Sequence, residues 1–338
     1  MRLSVLDQSP IRFGCTPAQA IRESVELAQL CDRLGFHRYW LAEHHSSGGL
    51  AGTAPEILIG HIAQATRHIR VGSGGVMLSH YAPLKVAECF RVLEALHPGR
   101  IDLGMGRAPG SDYRTMQAMR VGPGHADIDD YPRQVMDVVS FLEGSLPDNH
   151  PFRGIEAQPS GESAPEVWLL GSTADSASYA AHFGLPFSFA HFINPEGGDR
   201  VLEAWRQHYR PSARWPEPVA SVGAFALAAD TQAEAEYLIR SRDLWLLRLM
   251  KGELGPFPTP EQAEAYPYSP HDYAIIEANR DRSIFGTPDV VRAKLEALAA
   301  KYGVDELVVV TISHDFQARK RSYELLAGAF DLTARAAA

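Results

Sequence analysis

Along this chain, short apolar runs take turns with longer stretches whose apolar positions recur every three to four residues, the rhythms of strand and helix. The run LSVLDQSP (3–10) predicts a strand. The stretch TPAQAIRESVELAQLCDRLG (16–35) predicts a helix, with Ala20, Val25, Leu27, Ala28, Cys31 and Leu34 mostly on one face. Its ends are marked: Thr16 can cap it, Pro17 suits the first turn, Gln19 completes a capping-box spacing and Gly35 can end it. The exchange continues with strand FHRYWLAEHH (36–45), helix APEILIGHIAQATRH (54–68), strand IRVGSGGVML (69–78), helix PLKVAECFRVLEALHPG (83–99), strand RIDLGMGRA (100–108) and helix YPRQVMDVVSFLEG (131–144). In the second half, strands EVWLLGST (166–173), LPFSFAHFI (185–193), VASVGAFALAAD (219–230) and DELVVVTIS (305–313) alternate with four helices. These are DSASYAAHFG (175–184), DRVLEAWRQHY (199–209), TQAEAEYLIRSRDLWLLRLM (231–250) and FQARKRSYELLAGAF (316–330).

Eight strand-then-helix units demand a parallel sheet, and eight point to an α/β fold closed as a (β/α)8 TIM barrel. A plain barrel takes about 250 residues. The surplus in this 338-residue chain is expected in insertions near 108–130 and 251–286, the latter rich in Pro, Tyr and Gly. No linker or low-complexity segment interrupts the pattern, so one domain is expected over 1–338.

One strand breaks its own rule. In VGSGGVML (71–78), Gly74 and Gly75 sit mid-run, where glycine packs nothing and loses the most freedom on folding. Either the strand bulges there, or something flat lies against the backbone.

Composition narrows the function. A net charge of −9, with no Lys/Arg block, argues against a nucleic-acid surface. Pro10 arrives too early for a signal-peptide core, and no apolar run approaches the ~20 residues of a membrane span. The cysteines at 15, 31 and 89 form no C-x-x-C pair, which suits a reduced, cytoplasmic enzyme.

In such a barrel the chemistry belongs at the C-terminal ends of the strands. These carry Asp7-Gln8-Ser9, Glu43-His44-His45, Gly74-Gly75, Arg107, Ser172-Thr173, His191 and His314, a set rich in imidazole and poor in carboxylate. Adjacent His44 and His45 on a strand would face opposite ways, and neither H-x-H nor H-E-x-x-H occurs, so no metal is expected. In LLGSTADSAS a strand ends at Gly171, and Ser172, Thr173 and Ser176 open a helix. Helix-initial N–H groups bind phosphate, and Arg107 could add a charged fork; the plainer reading is N-capping. The G-x-G-x-x-G of a dinucleotide site is absent after the first strand.

Together WLAEHH, RVGSGGVML, KVAECFRVLEALHPGRIDLGMGRAPG, LLGSTADSASYAAHFGLP and GTPDVVRAKLEALAAKYGVDELVV resemble the bacterial luciferase-like flavin-dependent monooxygenases, from residue 3 to about 330. Within them the chain looks closest to the FMN-dependent enzymes of bacterial secondary metabolism. The resemblance implies a bulge with a non-prolyl cis peptide at Gly74–Gly75, with Val76 beside it, against the flavin ring. It also implies a phosphate site of Arg107, Gly171, Ser172, Thr173 and Ser176, and His44 as a base near the flavin. The reactive-site cysteine of luciferase falls at Gly106, which weakens a case for light emission. The segment 251–286, with Tyr266, Tyr268 and Tyr273, matches no luciferase feature. The implied activity is oxygenation of a small organic substrate by O2 and reduced FMN (FMNH2), supplied by a separate reductase, in a homodimer paired through EILIGHIAQATRH and KVAECFRVLEAL. Rival readings are an F420-dependent dehydrogenase and a non-catalytic flavin-binding protein.

Overall fold

The computed structural model describes residues 1–108, 112–119, 128–280 and 282–335. Its single sheet has nine parallel strands: β1 (Arg2–Asp7), β2 (Arg38–Leu41), β3 (Arg70–Met77), β4 (Ile101–Gly106), β5 (Glu166–Gly171), β6 (Phe187–Ala190), β7 (Ala220–Ala228), β8 (Ser283–Gly286) and β9 (Glu306–Val310). Strands β1 to β7 and β9 close the barrel: β6 pairs with β7, β7 with β9 and β9 with β1. The (β/α)8 architecture expected from the alternation is what forms.

Parity along each strand sorts the side chains. Leu3, Val5, Tyr39, Leu41, Val71, Ile101, Leu103, Val167, Leu169, Phe187, Phe189, Leu307 and Val309 face outward into the shell of helices. Leu6, Trp40, Trp168, Phe225, Leu227, Val308 and Val310 form a second, interior cluster. The first helix, Pro17–Leu34, starts with the expected Thr16–Gln19 capping box and ends at Gly35 with φ of 89°. A Cβ on Gly35 would lie 2.3 Å from the Thr333 carbonyl oxygen, so the C-terminal segment packs on this turn.

The floor of the barrel is ionic. Arg38 on β2 bonds Asp102 on β4 (2.8 Å), Glu166 on β5 (2.9 Å) and Glu306 on β9 (3.0 Å). Arg70 on β3 meets Asp102 again at 2.6 Å, and the Ser4 hydroxyl on β1 donates to Glu306 at 2.6 Å. The Arg38 guanidinium also stacks 4.8 Å from the Trp168 ring, and the Trp40 indole N–H donates to Asp102 at 2.9 Å. Asp102 stays ionised despite its burial because Arg38 and Arg70 hold its pKa below the ordinary value.

Two expectations from periodicity need correction. Strand β2 ends at Leu41, four residues before His45, because the His44 N–H turns to the Gly52 carbonyl (2.8 Å) and leaves the ladder. The helix Gln232–Met250, read as the seventh outer helix, instead lies over the mouth; its Ala235, Leu238 and Ile239 join the interior cluster. The outer position after β7 belongs to Pro288–Tyr302, which packs against the helices Gly198–His208 and Phe316–Ala329. The expected insertion at 251–286 contains the helices Pro260–Glu264 and Pro270–Arg280, and then β8, which pairs with the far end of β7 from Phe225 to Ala228. Tyr266, Tyr268 and Tyr273 stack in series there, and Arg248 of the mouth helix lies over Tyr266. Of the expected insertion at 108–130, residues 109–111 and 120–127 lie outside the described residues; a short helix, Tyr113–Met119, is seen between them.

Candidate active site

The interrupted strand resolves into a bulge. Gly74 pairs with Gly104 and Val76 with Met105, so Gly75 is the extra residue on β3. The Gly74–Gly75 peptide is cis. Without the extra residue Val76 would face the interior; with it, Val76 packs outward in the helical shell and Met77 faces the mouth. Space demands both glycines. A Cβ on Gly74 would lie 2.6 Å from Leu6 Cδ1 and 3.0 Å from Trp40 Cβ, and one on Gly75 would lie 2.8 Å from the Gly104 carbonyl oxygen.

Above the bulge opens a cavity of about 320 Å3. It is lined by Gly74, Gly75 and Met77 of β3, Gly106 at the end of β4 and Arg107 just after it, and Leu170, Gly171, Ser172, Thr173 and Ser176 around the end of β5. Leu6, Trp40 and Val308 of the interior cluster also line it. Nothing lies within 4 Å of a Cβ placed on Gly106, whereas one on Gly171 would strike the Ser176 side chain at 2.4 Å. The first glycine keeps the cavity open and the second lets the helix Ala174–Phe183 approach the strand. Thr173 caps that helix, accepting weakly from Ser176 N–H at 3.5 Å. Arg107 reaches across from β4 to Asp175 in its first turn at 3.3 Å, a partly exposed pair of little energetic weight. The capping and phosphate readings of this segment are therefore compatible: the cap uses the Thr173 oxygen, and among the described residues Arg107 has a loose carboxylate partner alone.

A second cavity, of about 440 Å3, lies alongside, and Phe192 and Ile193 line both. His44 and His45 line it together. The expectation that only one could face the mouth fails because strand alternation ended at Leu41. The two rings differ in environment. His45 Nε2 is 2.7 Å from Glu43 Oε1, which also accepts from the Tyr81 hydroxyl at 2.6 Å, while Glu43 Oε2 accepts from Met77 N–H at 2.9 Å. That buried carboxylate ties the turn after β2 to the end of β3. His44 has no such partner; its Nδ1 is buried without a hydrogen bond. Burial, with His45 adding to it, lowers the His44 pKa to about 4, so the expected titration near neutrality is displaced downward.

Of the other strand-end candidates, Gln8 also lines the second cavity, whereas His191 and His314 line neither. His191 is buried and bonds the Tyr302 hydroxyl at 2.9 Å, and His314 bonds the Phe13 carbonyl at the surface. Among the described residues no group of three or more His, Cys, Asp or Glu could hold a metal ion.

The roof of the second cavity comes from residues the periodicity did not single out: Arg242, Trp245, Leu246 and Leu249 of the mouth helix, Leu254, and Arg282 before β8. A signal was present. Ala235, Leu238, Ile239, Trp245, Leu246 and Leu249 make one apolar stripe at helical spacing, and Arg242 stands in its middle.

The luciferase-like monooxygenase family model matches residues 1–306. The chain belongs to the luciferase-like monooxygenase family. A luciferase-like monooxygenase of Escherichia coli K12 is 41% identical over 95% of each chain. The crystal structure of apo-MsnO8 superposes with a TM-score of 0.90 at 40% identity, covering 99% of both chains. The oxygenating constituent of 3,6-diketocamphane monooxygenase from Pseudomonas putida, a type II Baeyer–Villiger monooxygenase solved with FMN, shares the fold at a TM-score of 0.70 and 18% identity, covering 99% of both chains. No helix among the described residues is long and apolar enough to cross a membrane.

The buried His44 makes stability depend on pH. Its folded pKa of about 4 lies below the ordinary 6.5, so the unfolded chain binds the proton more tightly. The neutral ring is fully tolerated above about pH 6.5, and stability falls as the pH drops from there toward 4, by up to about 3 kcal/mol. Urea unfolding of wild type and His44→Gln between pH 7.5 and 4.5 checks this: the wild type should lose stability more steeply, and parallel curves would refute it.

Proposed function

We propose that the protein is a flavin-dependent monooxygenase that takes reduced FMN from a separate reductase and uses O2 to oxygenate a small organic substrate by hydroxylation, epoxidation or Baeyer–Villiger oxidation. The observation that carries this reading is the gathering of the Gly74–Gly75 bulge, Gly106, Arg107 and Ser172 to Ser176 around one cavity, next to a second, largely apolar one. The first cavity suits a flat ring with a phosphate tail. Its inner wall is bare backbone at Gly74, Gly75 and Gly106, and its outer end offers Arg107, three hydroxyls and a helix N-terminus. The unpartnered Nδ1 of His44 also fits a site completed by a ligand.

Bound reduced flavin would supply the two electrons that activate O2. The chain's own part is to hold, exclude and position. Arg107, Ser172, Thr173 and Ser176 would hold the phosphate, and Gly74 and Gly75 would face the ring with Val76 anchoring the bulge in the shell behind. Leu6, Trp40, Leu170 and Val308 would keep water from the inner wall. His44, neutral above about pH 4, would accept a proton at its ring nitrogen from the reacting pair. His45, held by Glu43, would fix the turn that carries His44. The unpaired cysteines suit work in the cytoplasm.

Two substitutions test the assignments. Arg107→Ala should weaken binding of reduced FMN by about 1.5–3 kcal/mol, while riboflavin, which lacks the phosphate, binds both proteins alike. Equal losses for the two ligands would remove the phosphate role, and tighter binding of F420 than of FMN in the same titrations would favour a deazaflavin dehydrogenase. His44→Gln should bind reduced FMN nearly as wild type does but turn over about 10²–10⁴-fold more slowly. Product formation at the wild-type rate would leave His44 only a shaping role.

We further propose that two copies pair through the helices Pro55–Ala65 and Pro83–Leu96. Ile57 (73% exposed), Leu96 (66%) and Val92 (47%) leave apolar surface on these neighbouring helices beyond what the barrel buries. Light scattering at micromolar concentration should give twice the 37.1 kDa chain mass, and Ile57→Asp should shift the particle toward one chain. A wild-type particle of one chain mass would rule out the pairing.

A further inference from the structure

Two arginines line the second cavity, and among the described residues neither has a paired counter-charge. Arg242, in the middle of the mouth helix's apolar stripe, is only 6% exposed. Its guanidinium stacks 3.9 Å from the Phe225 ring centre, and among the described residues its one hydrogen-bond partner is the Ser283 hydroxyl, met by Nη1. Arg282 donates Nη1 to the Ile193 carbonyl and Nη2 to Asn279 Oδ1, and its Nε is buried without a partner. Both line the cavity. Among the described residues no carboxylate pairs with either. Asp243, the neighbour of Arg242, turns instead to Arg280 at 2.6 Å. The two acids that line the cavity, Asp112 and Glu253, are solvent-exposed.

A buried cation without a partner lowers stability, and a methionine of similar length would fill the same space at less cost. Burial lowers the Arg242 pKa to about 9, with Asp243 opposing and Arg282 adding to the fall; at neutral pH the side chain remains a cation. Its planar fork, with most of its donors unspent, matches a carboxylate. We infer that this cavity binds an organic anion, its carboxylate head met by Arg242 and Arg282 and its apolar body lying along Trp245, Leu246, Leu249 and Ile312. The inference rests on reading this cavity as the substrate chamber of the proposed monooxygenase, and it names the chemical class of that substrate.

Calorimetric titration of the flavin-free protein with octanoate and with octanamide, its neutral counterpart, tests it. Octanoate should bind about ten-fold tighter or more, the scale of one charge-assisted contact. Arg242→Met should abolish most of that preference and at the same time raise Tm, because it removes a buried charge that stability does not need. Arg242→Lys should keep part of the preference, and Arg282→Gln should reduce it, which carries the test if Arg242→Met does not fold. FMN affinity should be unchanged in all three variants. Equal binding of the two probes, binding of neither, or a preference that survives both Arg242→Met and Arg282→Gln would overturn the inference. So would a loss of FMN affinity in these variants that matches the loss of octanoate, which would assign the arginines to the cofactor. If the flavin reading alone is wrong, wild type would fail to bind FMN yet keep its preference for octanoate.

Discussion

The ionic floor of the barrel is the constraint on which the site depends. Arg38 gathers acids from three strands, and Arg70 shares two of them, Asp102 and Glu166, so the stagger of β2 through β5 and β9 is fixed by charges that cannot be left unpaired. The same atoms orient the next layer: Asp102 accepts from the Trp40 indole, and Arg38 stacks on Trp168. With Leu6 and Trp40 packed there, no side chain fits on Gly74, and the β3 backbone lies open to the cavity above. The open backbone in the middle of a buried strand thus rests on the interior layer that the salt-bridge network at the opposite end of the barrel helps to orient.

Much of this was legible in the sequence, and for physical reasons. Alternation of period two and period 3.6 reports which side of a backbone is buried, so the eight barrel strands and most of the outer helices were readable. The capping box at Thr16 and Gln19 is local chemistry, visible wherever the residues are. The glycine pair marked the bulge because glycine in a buried strand needs a cause. What failed was boundary and layer. Nothing in WLAEHH says that the ladder stops at Leu41, since that depends on the His44 N–H finding a carbonyl eight residues later. Nor does amphipathicity say which surface a helix covers: Gln232–Met250 carries an apolar stripe suited to an outer layer, yet it covers the mouth. β8, only four residues long, is too short to stand out from the loops around it. The floor network was out of reach as well, because its members are spread over some 300 residues of chain and meet only when the barrel closes.

The two cavities draw on different parts of the chain. The smaller is lined mainly by residues from the ends of β3 to β6. The larger takes its roof from the mouth helix and the approach to β8, and its inner wall from Phe225, Val310 and Ile312. Among the described residues, only Phe192 and Ile193 belong to both. Carboxylates are engaged on the buried side, at Glu43 and in the floor, while the roof presents cations. The electrostatic character of the two chambers is therefore set independently.

That roof is one continuous excursion between two strands of the barrel, leaving after β7 and returning through the helix that leads to β9. No barrel hydrogen bond between β1 and β6 runs through it, and Arg282 fastens it to the Ile193 carbonyl at the shared wall. A segment attached in this way can be lengthened, shortened or rewritten while the strands beneath keep their register. One invariant chassis can then carry many interchangeable lids, and selection can alter what the enzyme accepts without retuning how it handles oxygen.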